Sequence, residues 1–578
     1  MRGEVSELSS VPGEPPVPEG ASPRRYSNVL AAGILLSRVS GFARGRAIAH
    51  FLGTSFAADA YWAAIKIPNL LQNLLGEGVL SASFIPVYSR LLAEGRREEA
   101  GRVAGAIAGL LAAATGALVV LGVVFAGPLT SLIAPGFEGG KRELTVAMVR
   151  IITPGLGLLA LSAWCLGVLN SHRRFFLSYV APVIWNATQI AVLVALGLTV
   201  YSGRLADPFA DPAAFEGLAL ALGWGTLAGG LLQFAIQIPA VVRVGGPIRL
   251  SVRADLPGTR AALRAIVPVV AGRGIVQISA WVDLILASLL AGSAVAFLGY
   301  SQLLYLLPIS LFGMSVAAAE LPQLASADQT DRALLTARLD QGLARIAFFV
   351  VPSALVYVLL GDLVVGALFQ TGGFGSASTM VVWAVLAGYS AGLLATTSSR
   401  LLQSSLYAAG ETKIPAAVAG LRVTVSAVLG AALMLQFDRL GIVEGQLRLL
   451  GELPALAPYP QDFREAPDWP RLGAVGLSLA AGGTAWLEYS LLRAAVRRRR
   501  ARPRLGGGYL SRTLGAAGAA AVAALAARWM VGDAHPLAAA PIALAATGLV
   551  YLAVAKVLRL PEAEAAIGAL SRLAGRSP

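Results

Sequence analysis

The chain has 578 residues, 56% hydrophobic and 13% charged, with a mean hydropathy of +0.70, a net charge of +14 and a pI near 10.2. Soluble proteins carry about 25% charged residues, which excludes an ordinary soluble domain. The Ala/Leu/Gly/Val runs of about 20 residues do not alternate as barrel strands would, so the chain reads as an all-α polytopic membrane protein.

In such a chain the positive balance belongs to basic loops and an interior lining, not to nucleic acid. Cys165 is the single cysteine, which excludes an intramolecular disulfide. His50, His172 and His535 form no metal motif.

Residues 1–26 are rich in Pro, Glu and Ser and read as a disordered cytoplasmic tail, with no apolar core of a signal peptide. About fourteen spans follow, near 27–50, 56–90, 101–127, 146–170, 177–201, 216–242, 260–291, 294–324, 335–360, 378–407, 414–436, 472–494, 509–531 and 537–558.

The first two spans carry Arg38, Arg44, Arg46, Asp59, Lys66 and Glu77. A charge at membrane depth costs about 2.5–3.5 kcal/mol, so it faces a cavity, a partner or an interface. Arg38 lies roughly 16 Å into its span and Arg44 about 9 Å further. Six residues set the two about 120° apart on an ideal helix, and a bend or unwinding at Gly41 and Gly45 would help them converge. Guanidinium forks match phosphate oxygens, so Arg38 and Arg44 with Lys66 suit a diphosphate. The alternative is a structural Arg38–Asp59 ion pair with Arg44 and Arg46 at the far interface. Pro68 interrupts the second span and Gly76-Glu77-Gly78 loosens it again, as tolerated beside a cavity; Glu77 could simply neutralise nearby cations. In the seventh span Arg273 and Asp283 stand about 15 Å apart, too far to pair along a straight helix. Glu320 and Arg422 are further charges expected to be structural.

Loops after even-numbered spans are basic, from Arg90/Arg96/Arg97/Arg102 to the run Arg497–Arg500. Those after odd-numbered spans are short, mixed or acidic, with Lys141/Arg142 a mild exception. The alternation places both termini in the cytoplasm. A parallel repeat is also legible. SFIPVYSRLLAEG (83–95) resembles ELPQLASADQT (320–330), APGF (134–137) corresponds to LFQTGGF (368–374), and LNSHRRFFLSYVAP (169–182) to SLYAAGETKIP (405–415). The offsets are 236, 237 and 233 residues.

These boundaries give an N-lobe over 27–243, a C-lobe over 244–496, two further helices over 497–560 and a cytoplasmic tail over 561–578. The Pro-rich stretch 437–471 reads as a tolerated external surface insertion with a short amphipathic helix. No phosphate-binding Gly-x-x-x-x-Gly-Lys-Ser/Thr loop, HExxH or GxSxG motif occurs, so neither an ATP-driven pump nor a familiar hydrolase is indicated.

SRVSGFARGRAIAHFLGTSFAADAYWAAIKIPNLL…GEGVLSASFIPVYS closely resembles the lipid II flippase family (MurJ, or MviN) of the multidrug/oligosaccharidyl-lipid/polysaccharide exporter superfamily. The APGF, LNSHRRF, LFQTGGF and LYAAGETKIP stretches match it in order. The resemblance implies two six-helix lobes around a cationic cavity, and a groove on the last two helices for a polyprenyl tail. It also implies flipping of undecaprenyl-diphosphate-linked peptidoglycan precursor by alternating access in the bacterial inner membrane. Lipid II, membrane lipids and the cell-wall synthesis machinery are the implied partners. No resident cofactor is implied apart from a candidate sodium ion. By match to family motifs, Arg38, Arg44 and Asp59 correspond to cavity residues, Lys66, Pro68 and Asn69 to a K-x-P-N signature, and Asp283 to the acid of a proposed sodium site.

The chain also departs from the family. Gly45 stands where an Asp is usual, Gln72 and Leu303 where cations are, and Ser426 and Gly430 roughly where Asn and Asp would complete the sodium site. Arg273 from the opposite lobe could replace a lost charge. A flippase for another polyprenyl-linked glycan, an ion-coupled small-molecule antiporter, and a scaffold or enzyme are the alternatives.

Overall fold

The computed structural model describes residues 23–201, 212–245, 248–317, 332–465, 469–499, 501–503, 507–532 and 534–573. Helix α1 (Pro23–Leu52) runs unbroken past Gly41 and Gly45, so the expected unwinding there does not occur. It also starts within the stretch read as a tail.

The second span is broken twice, into α2 (Phe56–Ala64), α3 (Lys66–Leu75) and α4 (Glu77–Ala93). Pro68 sits in the first turn of α3, where its missing N–H cannot close a bond onto Ala64, and α2 ends there. At Gly76 the backbone turns extended, separating α3 from α4. The first helix set is completed by α5 (Arg97–Val124), the short α6 (Ala126–Ile133), α7 (Gly139–Ser171), α8 (Phe175–Tyr201) and α9 (Pro212–Gly245), with α9 packed along α7 and α8, and α8 along α1.

The second set comprises α10 (Pro257–Ser288), α11 (Ala294–Pro308, continued by a π turn over Ile309–Met314), α12 (Arg332–Leu359), α13 (Gly361–Phe369), α14 (Ser376–Ser390), α15 (Leu393–Ala408) and α16 (Lys413–Phe437). After a hairpin of β1 (Leu440–Val443) and β2 (Gln446–Leu449) come α17 (Gln461–Glu465) and α18 (Gly473–Arg499), which packs along α16. The repeat is visible in this order: α5, short α6, a Gly-Phe loop and α7 are echoed by α12, short α13, a Gly-Gly-Phe loop and α14. The repeat copy over 320–330, with Glu320, lies outside the described residues.

Two last long helices, α19 (Gly507–Val531) and α20 (Pro536–Val557), pack on each other and against α12 and α13. The stretch 561–578, read as a tail, carries α21 (Pro561–Leu573), where Glu562 accepts a hydrogen bond from Tyr509 Oη at 2.8 Å.

Nine described helices are long and apolar enough to cross a membrane, ten if the bent pair α14–α15 is one span. The other four expected spans fall on α1, the broken α2–α4, α10 and α18.

The largest buried cluster runs through both sets. It joins Ile48, Leu52 and Tyr61 to Tyr300, Phe369 and Phe374. A second core around Phe84, Tyr88, Ile107 and Trp164 belongs to the first set and the start of α10. The two sets therefore share one apolar interior at the end where the loops 53–55, 134–138, 289–293 and 370–375 gather.

Candidate functional site

Helices α2 and α11, repeat equivalents, meet on the seam between the two sets. Trp62 lies against Gly299, where a Cβ would come within 2.6 Å of the indole. Any side chain at Gly299 would push the sets apart. One turn on, Lys66 Nζ donates to Gln302 Oε1 at 3.1 Å across 236 residues, the repeat offset. Gln302 in turn donates to Tyr389 Oη at 3.2 Å, and Tyr389 stacks on Tyr305 with centroids 4.8 Å apart.

The loop end of this seam is closed by a dense polar set. Asp59, 1% exposed, receives Lys141 Nζ at 2.5 Å and the Ala296 N–H at 2.6 Å. The Arg38–Asp59 pair left open by the sequence is therefore not formed: Asp59 is neutralised by Lys141 and tied to the second set. Lys141, which departs from the loop-charge alternation, is drawn in by that carboxylate and rests on the Phe137 ring at 4.3 Å. Its neighbour Arg142 bonds Ser131.

Around Asp59, Tyr300 Oη donates to the Gly53 carbonyl at 2.8 Å, Ser293 Oγ donates to the Thr54 carbonyl, and Thr54 and Ser378 hydroxyls pair at 2.8 Å. The Gly373 N–H donates to the His50 carbonyl at 2.9 Å. Gly53 has φ +54, and a Cβ there would sit 2.1 Å from the Gly373 carbonyl oxygen, so only glycine lets these loops cross. Arg46, which the sequence leaves open as a cation of the far interface, donates to the carbonyls of Ala367 (2.7 Å) and Leu368 (2.9 Å) at the end of α13. It caps one helix set with a cation from the other.

The insertion 437–471 is not a passive surface loop. Arg464 on α17 donates to the Gly136 carbonyl at 3.2 Å and lies 3.6 Å from Glu138, both in the first set. Its own carbonyl accepts from Gly292 N–H, in the second set, at 2.9 Å. Asp438 accepts from the Ala291 N–H at 3.4 Å. Arg439 stacks 3.6 Å above the Tyr459 ring, stiffening the strap.

The cations of α1 stand apart from these ties. Arg38 is exposed beside exposed Leu35, Leu36 and Val39. Arg44 lies 4.6 Å above the Trp185 ring of α8, with its Nε and Nη1 buried and without a hydrogen-bond partner among the described residues. A buried guanidinium lacking acceptors costs free energy unless something else supplies them. Nearby Tyr61 Oη donates to Gln189 at 3.2 Å, and Asn186 Nδ2 to Ser40 at 2.9 Å.

Asn69 is half-buried on α3 and contributes a backbone bond to Ile65 at 3.1 Å. The side chains of Pro68, Glu77 and Arg273 lie outside the described residues.

Asp283 on α10 interacts electrostatically with Lys66 and Arg422. Arg422 itself forms a 2.5 Å ion pair with Glu488, which is 4% exposed and also receives Gln403 at 2.8 Å, a complete structural triad. Gly430 packs on Leu477 and Ala480 and brings no side-chain oxygen. Among the described residues no group of three or more His, Cys, Asp or Glu could hold a metal.

Two departures from the family pattern turn out to be neighbours. A Cβ on Gly45 would lie 3.1 Å from Leu303 Cδ1. Where the family resemblance implies an acid and a cation, this chain has an apolar contact. Sequence alone shows two unrelated losses.

The geometry agrees with known proteins. The family model for the lipid II flippase MurJ matches residues 48–447. A probable lipid II flippase MurJ of Rhizobium tropici is 31% identical over 402 residues, covering 69% of this chain and 73% of that protein. One from Rhizobium meliloti is 31% identical over 477 residues, covering 79% and 86%. Among solved structures, a lipid II flippase MurJ in an inward closed conformation superposes with a TM-score of 0.67 at 20% identity, covering 92% of this chain and 98% of that one. An inward-facing multidrug resistance MATE family transporter of the MOP superfamily gives 0.57 at 14% identity, covering 82% and 99%. The chain belongs to the lipid II flippase MurJ family.

Proposed function

We propose that the protein flips lipid II, the undecaprenyl-diphosphate-linked peptidoglycan precursor, from the cytoplasmic to the outer leaflet of the bacterial inner membrane by alternating access. It is a transporter and not an enzyme. The lobes are 27–243 and 244–496, and α19 and α20 form the groove for the polyprenyl tail. The observation that carries the reading is the Arg44 guanidinium, whose buried Nε and Nη1 have no partner among the described residues. It needs acceptor oxygens that the described residues do not provide, and a diphosphate supplies them in bidentate geometry. Arg38, six residues away on the same helix, and Lys66 from α3 are the further cations offered to the same group. Asn69 and Arg273 complete the proposed binding set.

Asp59 acts here as the bolt of a gate. With both termini cytoplasmic, the loops 53–55, 134–138, 289–293, 370–375 and the 437–471 strap are external. Their ties close the outer side, which has to part for release. Asp283, under the electrostatic influence of Lys66 and Arg422, remains the acid proposed for a sodium ion. The membrane potential remains as a driving term, worth about 2.3 kcal/mol per uncompensated charge at 100 mV. It assists outward movement of a diphosphate and return of an empty cationic cavity. Unchanged flipping after collapse of the potential would contradict that coupling.

A second reading, export of another polyprenyl-linked glycan, is favoured by Gln72 and by the neutral Gly45–Leu303 contact. Complementation of a strain depleted of its own lipid II flippase decides between them. Rescue by the wild type and none by Arg38→Ala or Arg44→Ala is expected. Failure of a stably expressed wild type to rescue would remove lipid II as the substrate.

A further inference from the structure

At the end of the bundle opposite the closed seam, the last turn of α18, the first turn of α12 and the linker 501–503 enclose a cavity of about 830 Å³. Arg332, Thr336, Arg497, Arg498, Ala501 and Arg502 line it. The alternation of basic loops accounts for cations in this region, but not for four guanidiniums converging on one concavity. None of the four is in an ion pair among the described residues.

The frame that gathers them is made by tertiary contacts. Arg493 donates from Nε and Nη2 to the Pro503 carbonyl at 3.4 and 3.3 Å, and the Arg502 N–H donates to Thr336 Oγ1 at 3.1 Å. Ala501 and Pro503 are buried beneath. The linker is thus stitched to both helices, and four like charges are held on its rim.

Such an arrangement repels itself unless an anion sits in it, and guanidinium forks suit phosphate oxygens. The site lies at the ends of α12 and α18, beside the start of α19, where apolar spans give way to a basic loop. Basic pockets between membrane helices take anionic headgroups. We propose that this cavity binds the phosphate headgroup of an anionic phospholipid, a site separate from Arg38 and Arg44 and independent of the transport reading.

The test is a titration of the full chain in detergent with dioleoyl phosphatidylglycerol, read by native mass spectrometry. The wild type should retain one such lipid in preference to dioleoyl phosphatidylethanolamine. R332Q/R498Q should weaken that binding about thirtyfold, from about 1 kcal/mol per removed arginine. Should the double variant not fold, R498Q alone carries the test at about fivefold. R102Q/R243Q, at other helix ends, should bind as the wild type does. Wild-type affinity in a folded R332Q/R498Q or R498Q protein, equal retention of the phosphatidylethanolamine, or displacement of the lipid by millimolar inorganic phosphate would each overturn the proposal.

Discussion

Two places where arginine enters the membrane part of this protein behave in opposite ways. On α16, Arg422 meets Glu488 at 2.5 Å, and Gln403 takes the remaining carboxylate oxygen. On α1, Arg44 has an aromatic face beneath it and two buried nitrogens with no acceptor among the described residues. Both sites carry the same side chain on a membrane helix. A buried charge whose partners are all present holds helices together, whereas one that lacks acceptors is poised for a ligand that brings them. Charge content does not separate the two roles; completeness of the partners does.

The largest expected effect breaks the incomplete site. Arg44→Ala should lower flipping of a diphosphate lipid by up to about 100-fold, with thermal unfolding unchanged or slightly raised. Arg44→Lys should restore part of it, because a point charge replaces one arm of the fork. A large fall in melting temperature for Arg44→Ala would instead place Arg44 among the structural arginines.

The complete site should answer in the other currency. Glu488→Gln leaves Arg422 partly uncompensated and should destabilise the fold by about 2 kcal/mol, below the fully buried range because Arg422 is partly exposed. Flipping per folded molecule should hold. Arg422→Met with Glu488→Leu should recover most of the stability.

Gly45 and Leu303 allow the comparison to be rebuilt in reverse. Gly45→Asp alone buries a carboxylate against Leu303 and should cost about 1.5 kcal/mol. Adding Leu303→Arg should return about half of that, and a double-mutant cycle reads the coupling directly. Strict additivity would show that the two positions do not form a pair.

The strap offers a smaller perturbation. Arg464→Ala removes the side-chain tie to Gly136 and Glu138, leaving the backbone bond from Gly292, and should shift the gate toward opening by about 1 kcal/mol. Labelling of Ser293→Cys from outside by an impermeant maleimide measures this, with little background because the single native Cys165 is buried. Least of all, burial holds the Asp438 carboxyl up at about 7, against the pull of Arg471, Arg439 and Arg464. A raised carboxyl contributes stability that is full below about pH 4 and lost as pH rises through 7. Asp438→Asn should flatten the unfolding midpoint across that window.

Much of the architecture is legible before any coordinates. The apolar runs, the alternating basic loops and the 236-residue repeat already imply two equivalent helix sets. The motifs around Arg38 to Pro86 already point to a diphosphate lipid. Arg44 stands out for its depth, and Arg422 was correctly expected to be structural. Other features have no local signal. Lys141 reads as a stray loop cation until Asp59 is seen beneath it. Arg46 gives no hint of the α13 carbonyls more than 300 residues away. The strap reads as a tolerated insertion because Pro-rich loops usually are, and its Arg464 ties depend on where loops 136 and 292 arrive in space.

The solvent requirement of the chain is written into composition and periodicity. A run of about 20 apolar residues has to leave water wherever it lies, so class, span order and repeat follow from local content. Whether a given charge is spent or available is a different kind of property. It depends on which oxygen or cation a distant helix brings within about 3 Å. Only the packing of α1 against α8, α2 against α11 and α16 against α18 decides that Asp59 and Arg422 are satisfied while Arg44 is not.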